Sequence, residues 1–282
     1  MKKSCNLIKK LELLLKQLNC RSYLHHYGPK KYKLKHHLAA LILMEAYQLS
    51  LRRVEKLLQM FGIKVPTYSA LCKRRKKIPS WILNKLILLT SGLQHKNVAI
   101  DGTGFSKTNP SFHYLNRIDG KITKNFAKLS MLYDVDSHKV IAFHVKNKRT
   151  HDMKDAKPLL RSYCKMQCLL GDKAYDAEWL HQYCFERNIK TIIPKKNNVK
   201  KGFYRRKQMI NYSDKKYHQR SLIESGFSAI KRKYGGSVSG KVLSSIKTEI
   251  YCKGICHNLR LEDYRLSTEP CYELSLYIIN YY

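Results

Sequence analysis

Short apolar runs alternate with helical patterns over the second two thirds of the chain, and this alternation limits the possible folds more than any other feature. Apolar residues repeat with the period of a strand over 126–135, and a turn then returns the chain into a second strand. The predicted strands are 98–100, 126–135, 140–145, 168–172 and 191–193, with helical patterns between the last three. Strands and helices in this order predict an α/β domain in which helices flank a sheet.

Residues 1–90, in contrast, carry only helical patterns and predict a small all-helical domain ahead of the sheet. A helix over 51–60 is followed by a glycine-containing turn and a second short helix, whose basic run includes Arg74 and Arg75. Two such helices are typical of a helix-turn-helix, so we predict that Arg74 and Arg75 contact DNA. A helical hairpin that serves packing or dimerisation is the alternative.

The charge of the chain indicates a polyanionic partner. The 282 residues include 55 lysines and arginines against 20 aspartates and glutamates, which gives a formal net charge of +35. These cations are spread along the whole chain and are not collected in one amphipathic arm, which favours nucleic acid over a membrane surface. A drift of the composition toward lysine is the alternative explanation for part of this charge.

Cysteine usage and hydropathy predict where the chain works. Nine cysteines without a disulfide-like spacing predict free thiols in a reducing compartment. No apolar run approaches the ~18–20 residues that a membrane span needs. We therefore expect a soluble, cytoplasmic protein that joins the nucleoid when it is bound to DNA.

The stretch 217–234 has the pattern of one amphipathic helix. Its apolar stripe lies beside a second line of polar side chains, formed by Tyr217, Arg220, Glu224 and Lys231. A carboxylate at the edge of a buried face, between two cations, suits a metal ligand next to a phosphate backbone. An exposed helix with ordinary intrahelical ion pairs is the alternative.

The spacing of these four residues resembles the signature that closes the catalytic domain of DDE transposases in the insertion-sequence-four and -five group. The triplet Thr150-His151-Asp152 ahead of a helix resembles the same group. The resemblance covers roughly residues 95–262 and implies a ribonuclease-H-like catalytic domain, with a mixed sheet flanked by helices. A long helix over 244–261 is expected to cover the sheet, and residues 263–282 form a tail to which the sequence assigns no role.

Asp101 and Asp172 each follow an apolar strand, so both are expected at the carboxyl end of a strand, where α/β sheets gather their ligands. A lone aspartate in such a place is more often part of a turn than of a site. The resemblance implies that Asp101, Asp172 and Glu224 are the catalytic residues and bind Mg²⁺ or Mn²⁺, with two ions per site. It also implies that DNA phosphates are oriented by Tyr217, Arg220 and Lys231.

Residues 195–216 combine basic and aromatic side chains. Basic groups with interleaved aromatics suit a surface that follows a DNA backbone and stacks on unpaired bases. A plain basic loop is the alternative. The cations of this segment that we predict to contact DNA are Lys200, Lys201, Arg205, Arg206 and Lys207.

These features predict a DNA transposase that carries out metal-dependent strand cleavage and strand transfer of an insertion sequence. The expected partners are double-stranded DNA, as transposon terminal inverted repeats and as target, and further copies of the chain in a homo-oligomer on DNA. No membrane partner is expected. The alternatives are a catalytically silent DNA-binding protein derived from a transposase, and a ribonuclease-H-like nuclease. The short separation of Asp172 and Glu224 leaves no room for the β-rich insertion of some relatives, so no hairpin intermediate is inferred.

Overall fold

The protein is described by a computed structural model over residues 7–24, 27, 29–107, 126–148, 150–197, 201–210 and 212–266, with 263–266 as backbone only. It divides into two compact units, the first drawn from 1–90 and 240–282 and the second from 91–239. The predicted catalytic domain, residues 95–262, thus extends into the first of these units, and its boundaries stay a prediction. Residues 267–282 of the predicted tail lie outside the described residues.

The first unit is helical throughout its described residues. Its helices are α1 (Leu7–Gln17), α2 (Leu34–Ala46), α3 (Leu51–Met60), α4 (Tyr68–Arg75), α5 (Ser80–Ser91) and, after the second unit, α11 (Leu243–Leu266). Ser50 caps α3 by accepting the Arg53 N–H over 3.3 Å, and Thr67 caps α4 by accepting the Ala70 N–H over 3.4 Å. The two short helices predicted from the sequence are therefore present, each with its own cap.

Helix α11 groups with the helices of the first unit, and the expectation that it covers the sheet stays a prediction. Lys253 Nζ of α11 lies 2.9 Å from Glu45 Oε2 of α2, and Arg75 Nη1 of α4 lies 2.6 Å from Glu249 Oε1 of α11. All four side chains are buried. Removing one partner of a buried ion pair costs about 3–5 kcal/mol, so these pairs specify which helices α11 joins.

The second unit contains one sheet and its flanking helices. Its elements are β1 (His95–Lys107), β2 (Phe126–Asp134), β3 (Val140–Lys146), α6 (Met153–Ser162), β4 (Met166–Leu170), α7 (Glu178–Phe185), β5 (Lys190–Ile192), α8 (Phe203–Met209), α9 (Asp214–His218), α10 (Leu222–Tyr234) and β6 (Ser237–Val238). The strand order is β3-β2-β1-β4-β5, and β6 pairs with the far end of β1. Because β1 is antiparallel to β2 and parallel to β4, the sheet is mixed, as predicted.

The pairing of β1 with β4 brings two predicted site residues to neighbouring positions. Ala99 pairs with Leu170 in a parallel register, and Asp101 and Asp172 each follow their paired residue by two positions. Each aspartate is therefore displaced equally along its own strand direction. The strand that carries Asp101 and the strand that precedes Asp172 are therefore neighbours.

β1 is longer than the sequence predicts, because β2 pairs with it well beyond Asp101. Asp101 lies opposite Met131, and the pairing continues to Ser106 opposite Phe126. The prediction that Asp101 ends its strand is therefore wrong, since the glycines that follow weaken a strand but keep their N–H and C=O groups for the ladder. Between Ala99 and Ser106, the other edge of β1 has no strand partner among the described residues. Asp101 lies in this gap.

Helices α6 and α10 cover opposite faces of the sheet. The Ser130 hydroxyl of β2 donates to Asp155 Oδ2 of α6 over 3.0 Å, whereas Tyr133 of β2 packs against Gly226 of α10. Residues an odd number apart in a strand point to opposite faces. A Cβ at Gly226 would lie 2.6 Å from the Tyr133 ring, so a bare glycine is what lets α10 lie this close to the sheet.

The predicted single helix over 217–234 is interrupted. A 3₁₀ turn at Gln219–Ser221 separates α9 from α10. Arg220 lies in this turn and pairs with carboxylates on both β1 and α10, so tertiary contacts override the regular helical pattern. Tyr217 therefore lies on α9, whereas Glu224 lies on α10.

Candidate active site

Arg220 joins two of the three predicted catalytic carboxylates. Its Nη1 lies 3.3 Å from Oδ2 of Asp101, and its Nη2 lies 3.0 Å from Oε1 of Glu224. The Asp101 and Arg220 side chains are 19% and 20% exposed, whereas that of Glu224 is 59% exposed. Charge-assisted pairs hold a guanidinium in a defined orientation. The structure thus brings Asp101 from the sheet and Glu224 from α10 to one common cation.

The ionisation of Asp101 is strongly perturbed. Burial raises the pKa of its carboxyl to about 6, although the Gly102 N–H, which donates to Oδ1 over 2.7 Å, and the Arg220 guanidinium lower it. The negative charges of Asp172 and Asp152 raise it further. An additional cation here would offset both the cost of burying the charged Asp101 carboxylate and its repulsion by the neighbouring acids, so the gap favours positive charge.

Asp172 follows β4 and begins a 3₁₀ turn at Lys173–Tyr175. Its Oδ1 accepts the Ala174 N–H over 2.8 Å, which caps the turn and fixes the side chain. The carboxylate is half-buried and acts electrostatically on Asp101. Local chain geometry therefore holds Asp172 on the β4 side of the gap.

Lys231 of α10 reaches β1 two residues beyond Asp101. Its Nζ donates to Thr103 Oγ1 over 2.7 Å and lies 5.4 Å from the centre of the Phe105 ring. Burial lowers the pKa of Lys231. Asp101, Thr103 and Phe105 alternate with glycine and serine and so share the face of β1 that α10 covers. Lys231 therefore adds a second cation beside the gap.

Tyr217 lies close to this group on α9. Its ring is tilted against the ring of Tyr212, with 6.2 Å between centroids. Burial lowers the pKa of Arg220, but Asp101, Glu224 and the Tyr217 phenol outweigh this effect, so the pKa is raised. All four residues of the predicted signature thus belong to the second unit, and two of them, Arg220 and Lys231, contact β1.

The donors around the gap fit a divalent cation that keeps part of its hydration shell. Mg²⁺ prefers oxygen ligands and is commonly held by one or two carboxylates together with waters and substrate phosphates. Asp101 and Asp172 supply such a pair. Within the described part of the chain, no three His, Cys, Asp or Glu side chains form a ready-made metal cluster. The predicted trio is therefore assembled in part, with Glu224 tied to Asp101 through Arg220.

Tyr175, which the sequence does not single out, lies beside the same acids. Its side chain is fully buried, and its hydroxyl has no hydrogen-bond partner among the described residues. Burial raises its pKa well above the ordinary value, and the charges of Asp152, Asp101 and Asp172 raise it further. An unsatisfied buried hydroxyl costs about 1–3 kcal/mol, so the site offers a place for a bound water or a ligand oxygen. In sequence, a tyrosine near a buried strand indicates only core packing.

The basic segment ahead of α9 contains one buried arginine. Arg205 Nε of α8 lies 2.5 Å from Asp176 Oδ1, and its Nη1 lies 3.6 Å from Glu178 Oε2. The prediction that Arg205 contacts DNA is therefore corrected, because this guanidinium is occupied in anchoring α8 to the loop after β4. Lys201, Arg206 and Lys207 are exposed, and Lys200 lies outside the described residues.

The prediction that Arg75 of the first unit contacts DNA is corrected for the same reason. It is buried in its ion pair with Glu249, so it cannot reach a DNA backbone without leaving that acid unpaired. Arg74 is half-buried, and burial lowers its pKa. Its contact with DNA stays a prediction.

Comparison with known proteins supplies independent findings. The family model of the Transposase DDE domain matches residues 93–259. A probable transposase for insertion sequence element ISA1214 of Archaeoglobus fulgidus is 26% identical over 249 residues, which cover 82% of this chain and 76% of that protein. The piggyBac transposase synaptic complex with hairpin DNA aligns with a TM-score of 0.50 at 11% identity, covering 98% of this chain and 76% of that chain. The Mos1 strand transfer complex aligns with a TM-score of 0.30 at 13% identity, covering 97% of this chain and 90% of that chain.

The mixed sheet with helices on both faces has the ribonuclease-H-like fold of DNA transposases, and the likeness to piggyBac transposase supports that fold. The family match spans more than half of the chain, which belongs to the Transposase DDE domain family. Its activity is DNA transposition, and this family generally uses divalent metals. Among the described residues, no helix is both long and apolar enough to cross a bilayer.

Proposed function

We propose that Asp101, Asp172 and Glu224 are the catalytic carboxylates of this transposase and that they bind Mg²⁺ or Mn²⁺, two ions per site. One observation carries the proposal: Arg220 ties Glu224 of α10 to Asp101 in the gap of β1, next to the end of β4 from which Asp172 projects. A bound divalent cation would supply charge stabilisation for in-line attack on a phosphodiester and lower the pKa of a bound water.

Arg220, Lys231 and Tyr217 orient DNA phosphates in this proposal. A guanidinium pairs with phosphate as well as with carboxylate, so Arg220 can exchange its carboxylate partners for a phosphate once other positive charge neutralises the acids. Lys231 already lies along β1, 2.7 Å from Thr103, and adds positive charge on the same face. A phosphate bound by both cations would lie between α10 and the strand that carries Asp101.

A second DNA contact is proposed on α8 and the residues before it. Lys201, Arg206 and Lys207 are exposed there, and Lys200 belongs to the same run. Lys207 Nζ lies 4.6 Å from the centre of the Phe203 ring, and that ring is 55% exposed. Cations beside an exposed ring suit a DNA backbone with an unpaired base next to it. In the first unit, Arg74 is the remaining candidate.

The proposed substrate is double-stranded DNA, both as the terminal inverted repeats of an insertion sequence and as the target. The relative of Archaeoglobus fulgidus bears the name of an insertion-sequence transposase, and the net charge of +35 suits long contact with phosphates. Cleavage and joining at two transposon ends require two active sites, so we propose a homo-oligomer on DNA. We further propose that the protein works in the cytoplasm, at the nucleoid, because its proposed substrate is DNA.

A joining assay tests this function. The native chain and Glu224→Gln are incubated with Mg²⁺ and DNA that carries the inverted repeats flanking the element, with Glu186→Gln as a control at an exposed position of the same unit. We expect the native chain and Glu186→Gln to join strands, and Glu224→Gln to lose more than about a hundredfold of that rate while it still binds DNA. Cleavage without joining by the native chain would instead identify a nuclease. DNA binding without any metal-dependent reaction would identify a silent DNA-binding protein.

A further inference from the structure

We propose that Asp152 is a further carboxylate of this active site and that Lys128 is the residue that positions it. The role assigned to Asp152, which rests on the proposed function, is to accept hydrogen bonds from the waters that a bound divalent cation keeps. Neither residue belongs to the acidic trio or to the signature on α9 and α10.

Lys128 of β2 binds the segment that carries Asp152. Its Nζ lies 2.7 Å from Asp152 Oδ1 and 2.6 Å from Asp155 Oδ2, and it donates to the Thr150 carbonyl over 2.6 Å. Lys128 is buried, and its three partners come from the start of α6 and the residues before it. One ammonium therefore fixes both the backbone at residue 150 and the Asp152 carboxylate.

Gly102 makes room for this carboxylate beside Asp101. A Cβ at Gly102 would lie 3.0 Å from Asp152 Oδ1 and 3.6 Å from Lys128 Cε. Gly102 pairs with Ser130, whose hydroxyl binds Asp155 of α6, so this is the face that α6 covers. Asp152 thus reaches the edge of β1 from the α6 face, whereas Glu224 and Arg220 reach it from the α10 face.

A second, independent observation points to a ligand at this edge. Tyr175 is fully buried, and its hydroxyl has no hydrogen-bond partner among the described residues. The negative charges of Asp152, Asp101 and Asp172 raise the pKa of this hydroxyl, so these acids are near it. A buried hydroxyl without a partner, within the electrostatic influence of several acids, can be satisfied by a water or a ligand oxygen.

A hydrated cation accounts for these features together. Mg²⁺ keeps several waters when it binds to a pair of carboxylates, and outer carboxylates that accept from those waters tune its affinity. The Asp152 side chain is 39% exposed, so waters can reach it while Lys128 holds it in place. Asp152 therefore contributes to metal affinity without being a direct ligand.

The test measures Mn²⁺ affinity of the full chain without DNA, by electron paramagnetic resonance of the free ion, and the Mg²⁺ concentration that gives half-maximal joining. Asp152→Asn is the main variant, because Lys128 keeps Asp155 and the Thr150 carbonyl and the fold is not put at risk. Glu186→Gln is the matched control for loss of one negative charge. Lys128→Met, alone and combined with Asp152→Asn, tests the positioning role.

For Asp152→Asn we expect about tenfold weaker Mn²⁺ binding and a similar rise in the Mg²⁺ concentration that gives half-maximal joining, with an unchanged thermal midpoint. As a single substitution, Lys128→Met should weaken Mn²⁺ binding. Added to Asp152→Asn it should weaken Mn²⁺ binding little further, because Lys128 acts through Asp152. Native Mn²⁺ affinity in Asp152→Asn, or an equal loss in Glu186→Gln, would overturn the inference. If Asp101→Asn also kept native Mn²⁺ affinity, the proposed function itself would fall, whatever Asp152→Asn showed.

Discussion

Two adjacent arginines on α8 are expected to respond in opposite ways to the same substitution. Arg205 is buried against Asp176, whereas Arg206 is exposed and donates to the carbonyl of Gly202, four residues before it, over 3.2 Å. Arg205→Ala should therefore lower the stability of the fold, and Arg206→Ala should weaken DNA binding. Sequence position and residue type are matched, so the pair isolates the effect of burial.

The magnitude for Arg205→Ala follows from what remains around Asp176. The Asp176 side chain is fully buried and loses the guanidinium, but it keeps the Lys196 N–H at 2.8 Å and the His181 Nε2 at 3.1 Å. Removal of one partner of a buried ion pair costs about 3–5 kcal/mol. Because two donors remain, we expect the lower end, about 3 kcal/mol, which is a large part of the ~5–15 kcal/mol that stabilises a typical protein.

Urea denaturation measures the free energy of unfolding, and fluorescence anisotropy at several salt concentrations measures DNA affinity. Arg206→Ala should leave unfolding within about 0.5 kcal/mol of native and reduce the slope of log affinity against log salt by about 1, as expected for one lost phosphate contact. Arg205→Ala should keep its salt slope at concentrations of urea where it is folded. A reduced slope at native stability in Arg205→Ala would refute the assignment of Arg205 as a structural anchor.

Three further substitutions test other parts of the structure. Arg75→Ala leaves Glu249 buried without its guanidinium partner and should lower the free energy of unfolding, measured in urea, by about 3 kcal/mol. Arg74 is only half-buried, so Arg74→Ala should cost less, and equal losses in the two variants would contradict the buried pair of Arg75 and Glu249. Asp101→Asn should stabilise the metal-free chain by about 1–2 kcal/mol at pH 7, because the pKa of Asp101 is raised to about 6 and its charged form is disfavoured in the folded state. This gain in unfolding free energy should shrink as the pH falls from 6 to 4, and a gain that grows in that interval would contradict the raised pKa. Gly226→Ala places a Cβ 2.6 Å from the Tyr133 ring, so overpacking that costs about 1–3 kcal/mol should outweigh the gain of about 1 kcal/mol in helix propensity and displace α10. The free energy of unfolding and the rate of joining should both fall, whereas Ser225→Ala is the control at an exposed position of the same helix. A more stable Gly226→Ala variant would show that α10 does not pack closely on the sheet.

The α/β fold follows from the sequence because strand and helix periods are local properties. Asp172 is predicted at the end of its strand, since the apolar run of β4 stops at Leu170 and a turn follows. The length of β1 is not predictable in the same way, because Gly102 and Gly104 weaken its local pattern. Its continuation depends on β2, whose paired residues lie twenty or more positions away.

The fate of each cation depends on contacts that are distant in sequence. Arg205 meets Asp176, which precedes it by 29 residues, and Arg75 meets Glu249, which follows it by 174. A basic run therefore predicts a DNA surface as a whole, but it cannot tell which of its members is withdrawn into a buried ion pair. Lys128 was missed for the same reason, since within the pattern of β2 it carries no signal of its acidic partners.

The most direct measurement of the central claim exchanges a proposed metal ligand and then the metal. Asp101→Cys offers a thiolate, which is a poor ligand for Mg²⁺ and a better one for softer ions such as Mn²⁺, and Asp101→Ser serves as the control without a thiolate. We expect Asp101→Cys to lose strand joining in Mg²⁺ and to recover part of it in Mn²⁺, while Asp101→Ser stays inactive in both and each variant still binds DNA. Native-like joining in Mg²⁺ by either variant would contradict the assignment of Asp101 as a metal ligand of this transposase.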